Sequence, residues 1–265
     1  MDNPLFYIPA LILGILLGLM GGGGSILTVP VFVYLIGFNP MVATGYSLFV
    51  VGSTSLVGAL TYARKKLLNV PVAVSFFIPS FIAVFLVRKY LLPSVPEDLF
   101  QIGGFQVTKD LFIMLFFAFA MFAAAISMLK KANDVEEEDQ EHKVNFFLFF
   151  IQAVLVGLIT GIAGAGGGFL IVPALVLLAH LKMRLAVGTS LLIIAINSLI
   201  GFMGDISNLK NIDWMFLSIF SAISILGIFL GSYLSGLVSS QKLKKGFGWF
   251  ILMMSVFIIF IELKQ

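Results

Sequence analysis

Two sets of hydroxyl-bearing and small residues fall at helical spacing in this chain. Thr44, Ser47, Thr54, Ser55, Gly58 and Tyr62 share one arc of about 100° on a helix, and Val187, Ser190, Asn197, Ser198, Gly201 and Asp205 share the same arc in a later stretch. Thr189 adds a further hydroxyl beside Ser190. Such groups hydrogen-bond without carrying a charge, which suits a ligand that must bind and leave. Asn197 stands out, because its amide cannot be satisfied by its own helix as a serine can; it is expected to face a cavity or the other half of the chain. Covalent or metal chemistry is not indicated. His142 and His180 both fall in loops, no Ser–His pair can form in an apolar core, and no metal-ligand spacing or cysteine is present. No enzyme activity, metal or cofactor is expected.

Just before each set lies a glycine run. Gly21-Gly22-Gly23-Gly24-Ser25 leads to Pro30, and Gly164-Ala165-Gly166-Gly167-Gly168 leads to Pro173. The two are related by an offset of 143, and from Gly14/Gly157 to Thr61/Gly204, 17 of 48 aligned pairs are identical, so the chain contains an internal duplication. An interrupted backbone is tolerated in hydrocarbon only where it is buried in protein or lines a cavity. Glycine-broken segments at matching places in two halves point to the binding site of a transporter, whereas a single run would suit close helix packing equally well.

The expected substrate site is therefore Gly22, Gly23, Gly24, Ser25, Thr44 and Ser47 from the first half, with Gly166, Gly167, Gly168, Thr189, Ser190 and Asn197 from the second. The sequence places no acidic, basic or histidine residue in the middle of a span, so little is available to hold a bare cation. Glycine turns that lead into short helices instead offer free N–H groups and the positive end of a helix dipole, about half an elementary charge. Two such ends favour an anion. Tyr62 and Asp205 are the only groups near the spans that suggest coupling to a proton.

These residues must be held by membrane-spanning elements. The chain has 265 residues, 60% of them hydrophobic and 11% charged, with mean hydropathy +1.11 and repeated runs near the roughly 20 residues a crossing needs. It reads as an all-α polytopic membrane protein whose partners are the bilayer and a small anion, not nucleic acid; a homo-oligomer stays open. The opening Met1-Asp2-Asn3-Pro4 lacks a basic region, so the first apolar run is expected to be structural and not a cleaved signal. In the first half the runs are Pro4 to Met20, Ser25 to Gly37, Met41 to Tyr62, Pro71 to Val87 and Leu111 to Leu129. In the second they are Asn145 to Thr160, Phe169 to Ala179, Arg184 to Met203, Trp214 to Val238 and Gly246 to Ile261.

The limb after each glycine run spans only about 18 Å as a helix, against a core of about 30 Å. Each opening pair of runs is thus expected to form a hairpin that enters and leaves on one side. Whether the second limb starts at Ser25/Gly168 or at Pro30/Pro173 is left open. With hairpins, Arg64, Lys65, Lys66, Lys130, Lys131, Lys143, Lys182, Arg184, Lys242, Lys244 and Lys245 share one side, and Arg88, Lys89, Lys109, Lys210 and Lys264 the other. The positive-inside rule then puts both termini outside. The halves become inverted repeats, residues 1–132 and 145–265, each a glycine-tipped hairpin plus three transmembrane helices. Residues 133–144 form an acidic cytoplasmic linker, and the segment from Arg88 to Lys109 an external cap. Ser47 then lies about 10 Å deep and the tip at Ser25 about 16 Å deep, so tip and stripe can meet.

The duplicated pattern GxGG[SG]xxxxP followed by A-x-G-[TY]-S-L-x6-S-x-x-G, as in Gly21 to Gly58 and Gly164 to Gly201, resembles the TauE/SafE family of sulfite exporters, also called the toluene-sulfonate uptake permease family. The resemblance covers nearly the whole chain. It implies a multi-pass carrier in the plasma (inner) membrane for small sulfur-containing anions such as sulfite, sulfoacetate or other organosulfonates, and it carries over the glycine loops and the Ser47/Ser190 positions. Tyr46 departs from the small hydroxyl residue more usual there, which would narrow the cavity. An anion channel using the same site without alternation is the competing reading.

Overall fold

In the computed structural model, the residues described are 7–102, 105–130, 146–163, 167–206, 209 and 212–262. The acidic linker, the Gly103-Gly104 turn, Gly164 to Gly166 and both chain ends lie outside them. The described residues form two successive sets of five helices. The first comprises α1 Ile8–Met20, α2 Gly23–Pro30 with a wider π turn over Val31–Leu35, α3 Pro40–Arg64, α4 and α5 Lys109–Lys130. Here α4 runs through Val70–Leu86, a π turn Val87–Leu91 and Leu92–Ser94. The second comprises α6 Phe146–Ala163, α7 Gly168–Leu177, α8 Met183–Asp205, α9 Trp214–Leu237 and α10 Ser240–Glu262. Six of them, α3, α4, α5, α8, α9 and α10, are long and apolar enough to cross a bilayer.

Starts and stops follow local chemistry. Asn39 and Asn69 cap α3 and α4 by accepting from the N–H groups of Met41 and Val72, each with a proline in the first turn behind it. Asp213 does the same for α9 through the Phe216 N–H. Pro30 and Pro173 lie inside α2 and α7, so the short limbs begin at Gly23 and Gly168, and not at the prolines. After Pro30 the ladder changes spacing, with Ile36 N–H donating to the Val31 carbonyl, one way for a helix to absorb an interior proline.

Two stretches differ from the sequence reading. The span expected to end at Val87 continues to Ser94, and Arg88, expected in an external loop, is wholly buried inside it. The last span starts at Ser240, so Lys242, Lys244 and Lys245 belong to its first turns and not to a loop. Between α4 and α5 the chain also forms a small antiparallel hairpin, β1 Asp98–Ile102 with β2 Phe105–Thr108, pairing Ile102 with Phe105 and Asp98 with Thr108 around a bulge. The expected cap is thus partly β.

Glycines set the helix pairings. A Cβ on Gly14 would lie 1.9 Å from the Ser224 carbonyl oxygen, and one on Gly231 would lie 2.1 Å from that of Ile15. Gly14 and Gly18 therefore seat α1, running parallel, on Gly227 and Gly231 of α9, a small-xxx-small contact. Gly157 and Gly161 seat α6 in the same way on Ser80, Val84 and Val87 of α4. At the centre α3 and α8 run antiparallel, with Gly45 beside Asp205, Gly58 beside Leu191 and Gly188 beside Tyr62. The remaining close pairs are α5 with α10, α3 with α9 and α4 with α8. Exchanging the two halves maps this set of pairings onto itself.

Burial follows from that arrangement. The central helices α3 and α8 are the most buried of the six long ones, and both hydroxyl stripes face inward: each of Thr44, Ser47, Thr54, Ser55, Ser190, Asn197, Ser198 and Asp205 has no exposed surface. Large apolar side chains such as Phe119, Met215, Leu237 and Met253 cover the outside. Two clusters mark the ends of the bundle. At one, Asn39 donates to Asp110 and Tyr34 to Glu262. At the other, Arg184 donates to the carbonyls of Gly236 and Val238, and the Asn69 N–H to Thr189.

Candidate functional site

The first glycine run reverses the chain in a few residues, and in both runs particular glycines adopt backbone conformations that favour them. Gly21 has φ +67° while its N–H closes α1 on the Leu17 carbonyl, and Gly167 sits in the left-handed region at φ +69° as the cap of α7. Side chains resist both conformations. Gly24 lets α2 fold back on α1, since a Cβ there would lie 2.3 Å from the Leu13 carbonyl oxygen. Gly167 likewise touches Thr160 of α6.

The two tips meet. A Cβ on Gly168 would lie 2.4 Å from Gly22 Cα and 2.9 Å from Ser25 Oγ. One on Gly21 would lie 2.5 Å from Ser190 Oγ. So Gly22 and Ser25 of the first loop face Gly168 at the start of α7, with Ser190 of α8 against Gly21, while Gly24 packs on α1 and Gly167 on Thr160. Gly166 lies outside the described residues. First-turn N–H groups have no acceptor within their own helix, and here two such sets are brought together at one place with both dipoles' positive ends.

The hydroxyls divide into two groups. Ser25 donates to the Gly22 carbonyl at 2.7 Å, Ser190 to that of Val187 at 2.8 Å and Thr28 to that of Gly24 at 3.1 Å. By contrast Ser47, Thr54, Ser55, Thr160 and Ser198 are buried with no partner for their oxygens. An unpaired buried hydroxyl costs about 1–3 kcal/mol, so five of them on α3, α6 and α8 are unusual. Ser55 and Ser198 are counterparts in the duplication.

Several sequence-selected residues are held elsewhere. Asn197 exchanges hydrogen bonds with Ser80 of α4, at 2.9 and 3.3 Å, so its amide faces the other half of the chain. The Thr189 hydroxyl accepts from the Asn69 N–H at 3.0 Å and secures the α3–α4 loop. The Tyr62 hydroxyl donates toward the Gly18 carbonyl and Ser235, at 2.7 and 2.9 Å, next to Lys65, which donates to Ser232. Tyr46 does not narrow the site. Its hydroxyl accepts from the Asp213 N–H and its ring packs on Phe38 and Phe216.

Asp205 forms a buried ion pair with Arg88, Nη1 to Oδ2 at 3.1 Å, and the same Nη1 donates to Thr44 at 3.1 Å. Sequence reasoning missed this arginine by ending the span at its first charge. The signal was present, because Ser80, Val84 and Arg88 recur every fourth residue and Tyr90-Leu91-Leu92 carry the apolar run onward. The pair leaves no net charge at that point, but it corrects the expectation that no basic residue lies within a span, since Arg88 is buried inside α4.

Among the described residues no group of three or more His, Cys, Asp or Glu could hold a metal. The most prominent grooves, one lined by Leu252, Met253, Val256, Phe257 and Phe260 and one by Leu86, Val87, Tyr90, Leu91, Ser94 and Leu158, are apolar and lie on the outer surface. Gly22, Gly24, Ser25, Gly167, Gly168 and Ser190 are all buried, so the tips are closed to solvent in this form.

A family model described as "Sulfite exporter TauE/SafE" matches residues 6–258. The chain is 29% identical over 253 residues to a "Probable membrane transporter protein" of Xylella fastidiosa strain 9a5c, covering 94% of this chain and 91% of that protein. It is 27% identical over 229 residues to the "Probable membrane transporter protein YunE" of Bacillus subtilis, covering 79% and 81%. A similarly named protein of Methanocaldococcus jannaschii is 28% identical over 207 residues, covering 75% and 70%.

Proposed function

Because the chain belongs to the TauE/SafE sulfite exporter family of membrane transporters, we propose that it is a secondary transporter moving small sulfur-containing anions across the plasma membrane by alternating access. The anion sits between the tips of two inverted repeats, residues 1–132 and 145–265, joined by a cytoplasmic linker, with both termini outside. The backbone N–H groups of Gly22, Gly23, Gly24 and Ser25 and of Gly167 and Gly168, together with Gly166 outside the described residues, receive its oxygens. Ser47 and Ser190 supply neutral donors from the two central helices, and Thr44, Thr189 and Asn197 shape and support the path.

The observation that carries this reading is the contact of Gly168 with Gly22 and Ser25, which brings two helix N-termini face to face in a region lined by buried hydroxyls. Antiparallel packing of the duplicated helices α3 and α8 supports inverted halves. Moving Arg88 from loop to interior leaves Lys89, Lys109, Lys210 and Lys264 on the outer side, which sharpens the charge asymmetry behind the orientation.

Rocking of the halves is the transport step. At one end an opening must part Arg88 from Asp205, and at the other it must part Tyr62 from Ser235. These two clusters tie α8 to α4 and α3 to α9, across the halves in both cases, so each serves as a latch. Asp205 and Tyr62 are thereby the groups through which an ion gradient would act. The lack of exposed surface at the tips favours a carrier over a channel. The test is flux into proteoliposomes with sulfite, sulfoacetate, thiosulfate, sulfate and a carboxylate. Saturable uptake restricted to one or more sulfur anions is expected, and no flux of any of them, or unitary channel currents, would reject the reading.

A further inference from the structure

Arg88 is an unusual investment for a latch. It is a full cation with no exposed surface, in a helix that crosses the hydrocarbon, and only Nη1 of its guanidinium is engaged. Nε and Nη2 have no partner, and neither has Oδ1 of Asp205. A strut built only for rigidity would use both forks, as bidentate arginine–carboxylate pairs commonly do, and buried charges left half-satisfied are expensive. Two free N–H directions on a buried guanidinium are what an incoming oxyanion would require.

The neighbours extend the same pattern. Thr44 shares Nη1 of Arg88, and Ser47 lies three residues on along the same face of α3, about 4.5 Å further into the bundle, with its own hydroxyl unpaired. Its counterpart in the duplication, Ser190, touches the first glycine loop. Polar groups thus run from Arg88 through Thr44, whose hydroxyl accepts from Arg88 and donates to the Met41 carbonyl, to the unpaired hydroxyl of Ser47, toward the depth at which the tips meet. Asp205 closes the guanidinium from α8, where Gly204 and Gly45 leave room for the pair: a Cβ on Gly45 would lie 2.8 Å from Asp205 Oδ2.

We propose that Arg88 is a binding residue for the transported anion, its first charged contact on the way from the Asp110 end to the glycine tips, and that Asp205 is a built-in competitor which occupies the guanidinium until an oxyanion displaces it. This rests on the anion-carrier reading and adds to it a specificity element. An oxyanion with at least two oxygens docks on the free Nε and Nη2 and sets a second negative charge beside Asp205, which repels the carboxylate from Nη1, whereas a neutral solute brings no such charge and leaves the latch shut. The arrangement makes binding and opening one event, because the ligand that gains Arg88 is the one that releases α4 from α8.

Opposite effects of the two partners test it. In proteoliposomes carrying the full chain, with sulfite and sulfoacetate as probes, R88Q is expected to raise KM about tenfold or more, as loss of a charged hydrogen-bonded contact would. D205N is expected to lower KM by up to about tenfold, as release of a guanidinium occupied nine times in ten by its own carboxylate would. Sulfite should also restore the thermal stability of D205N, since the anion takes the carboxylate's place, and should do so less for R88Q. A shared loss, with D205N raising KM as R88Q does and sulfite failing to stabilise it, means a strut and overturns the proposal. If R88Q does not assemble, the KM and sulfite response of D205N decide alone. Wild-type protein that moves neither probe nor any other sulfur anion overturns the carrier reading itself; wild-type flux with an unchanged KM in D205N overturns only the role of Arg88.

Discussion

Substituting Gly168 by alanine should disable the site with the smallest perturbation available. The added Cβ would lie 2.4 Å from Gly22 Cα, 2.7 Å from Ile194 Cδ1 and 2.9 Å from Ser25 Oγ. Ordinary carbon contacts begin near 3.5 Å, so the two tips must part by about 1 Å. The neighbour that would have to move is backbone, which cannot rotate away. Overpacking of this kind costs about 1–3 kcal/mol, which a membrane protein can survive. For the anion the same displacement takes one set of N–H donors out of hydrogen-bonding range, which is narrower than 1 Å. Losing one hydrogen bond to a charged group costs about 1.5–3 kcal/mol, a rise in KM of roughly 10- to 100-fold. The assay is initial-rate sulfite or sulfoacetate flux into proteoliposomes, normalised to folded protein by size-exclusion profile and thermal stability. Gly236→Ala is the control, since a Cβ there meets nothing within 4 Å, and it should transport like the wild type. Gly168→Ala with wild-type KM would refute the claim that the meeting of the tips forms the binding site.

Other substitutions separate structure from transport. Ser47→Ala removes a buried hydroxyl that has no partner, so thermal stability should hold or rise while flux falls about tenfold; lost stability with normal flux would assign Ser47 to packing. Ser25→Leu is expected to abolish flux and leave a folded protein, checked by the same pair of measurements. Gly14→Val should do the reverse, because its side chain would strike the Ser224 carbonyl at 1.9 Å and part α1 from α9: folded yield should drop while the substrate preference of what remains is unchanged. Tyr62→Phe loses hydrogen bonds to Gly18 and Ser235, about 1 kcal/mol each. It should raise labelling of Ser190→Cys from the Lys65 side by an impermeant thiol reagent.

Much of this was readable because the bilayer leaves few choices. Apolar length against charged breaks located the spans, and the 143-residue offset fixed which glycines and hydroxyls correspond. The inward direction of both stripes follows from periodicity alone, and the interruption of two apolar runs by glycine points to both loops. What escaped depended on partners distant in sequence. Arg88 reads as a boundary unless Asp205 is known to sit opposite, and for Asn197, expected to face a cavity or the other half of the chain, the sequence leaves unnamed the partner that decides between them, Ser80 of α4. Thr189 looks equivalent to its neighbour Ser190, yet one residue of helix turns it by about 100°, from the glycine tip to the Asn69 N–H. The prolines left a choice open for a related reason: Pro30 and Pro173 can start a helix or sit within one, and only the structure shows both inside α2 and α7.

The chain has no cysteine, so a single thiol at Ser25→Cys reports directly on the place where the tips meet. In proteoliposomes that thiol should react with a small reagent as the carrier cycles. Sulfite or another transported sulfur anion should protect it with a concentration dependence matching its transport KM, while a neutral sugar should give no protection. Labelling that saturating transported anion leaves unchanged would place the substrate elsewhere and contradict the account.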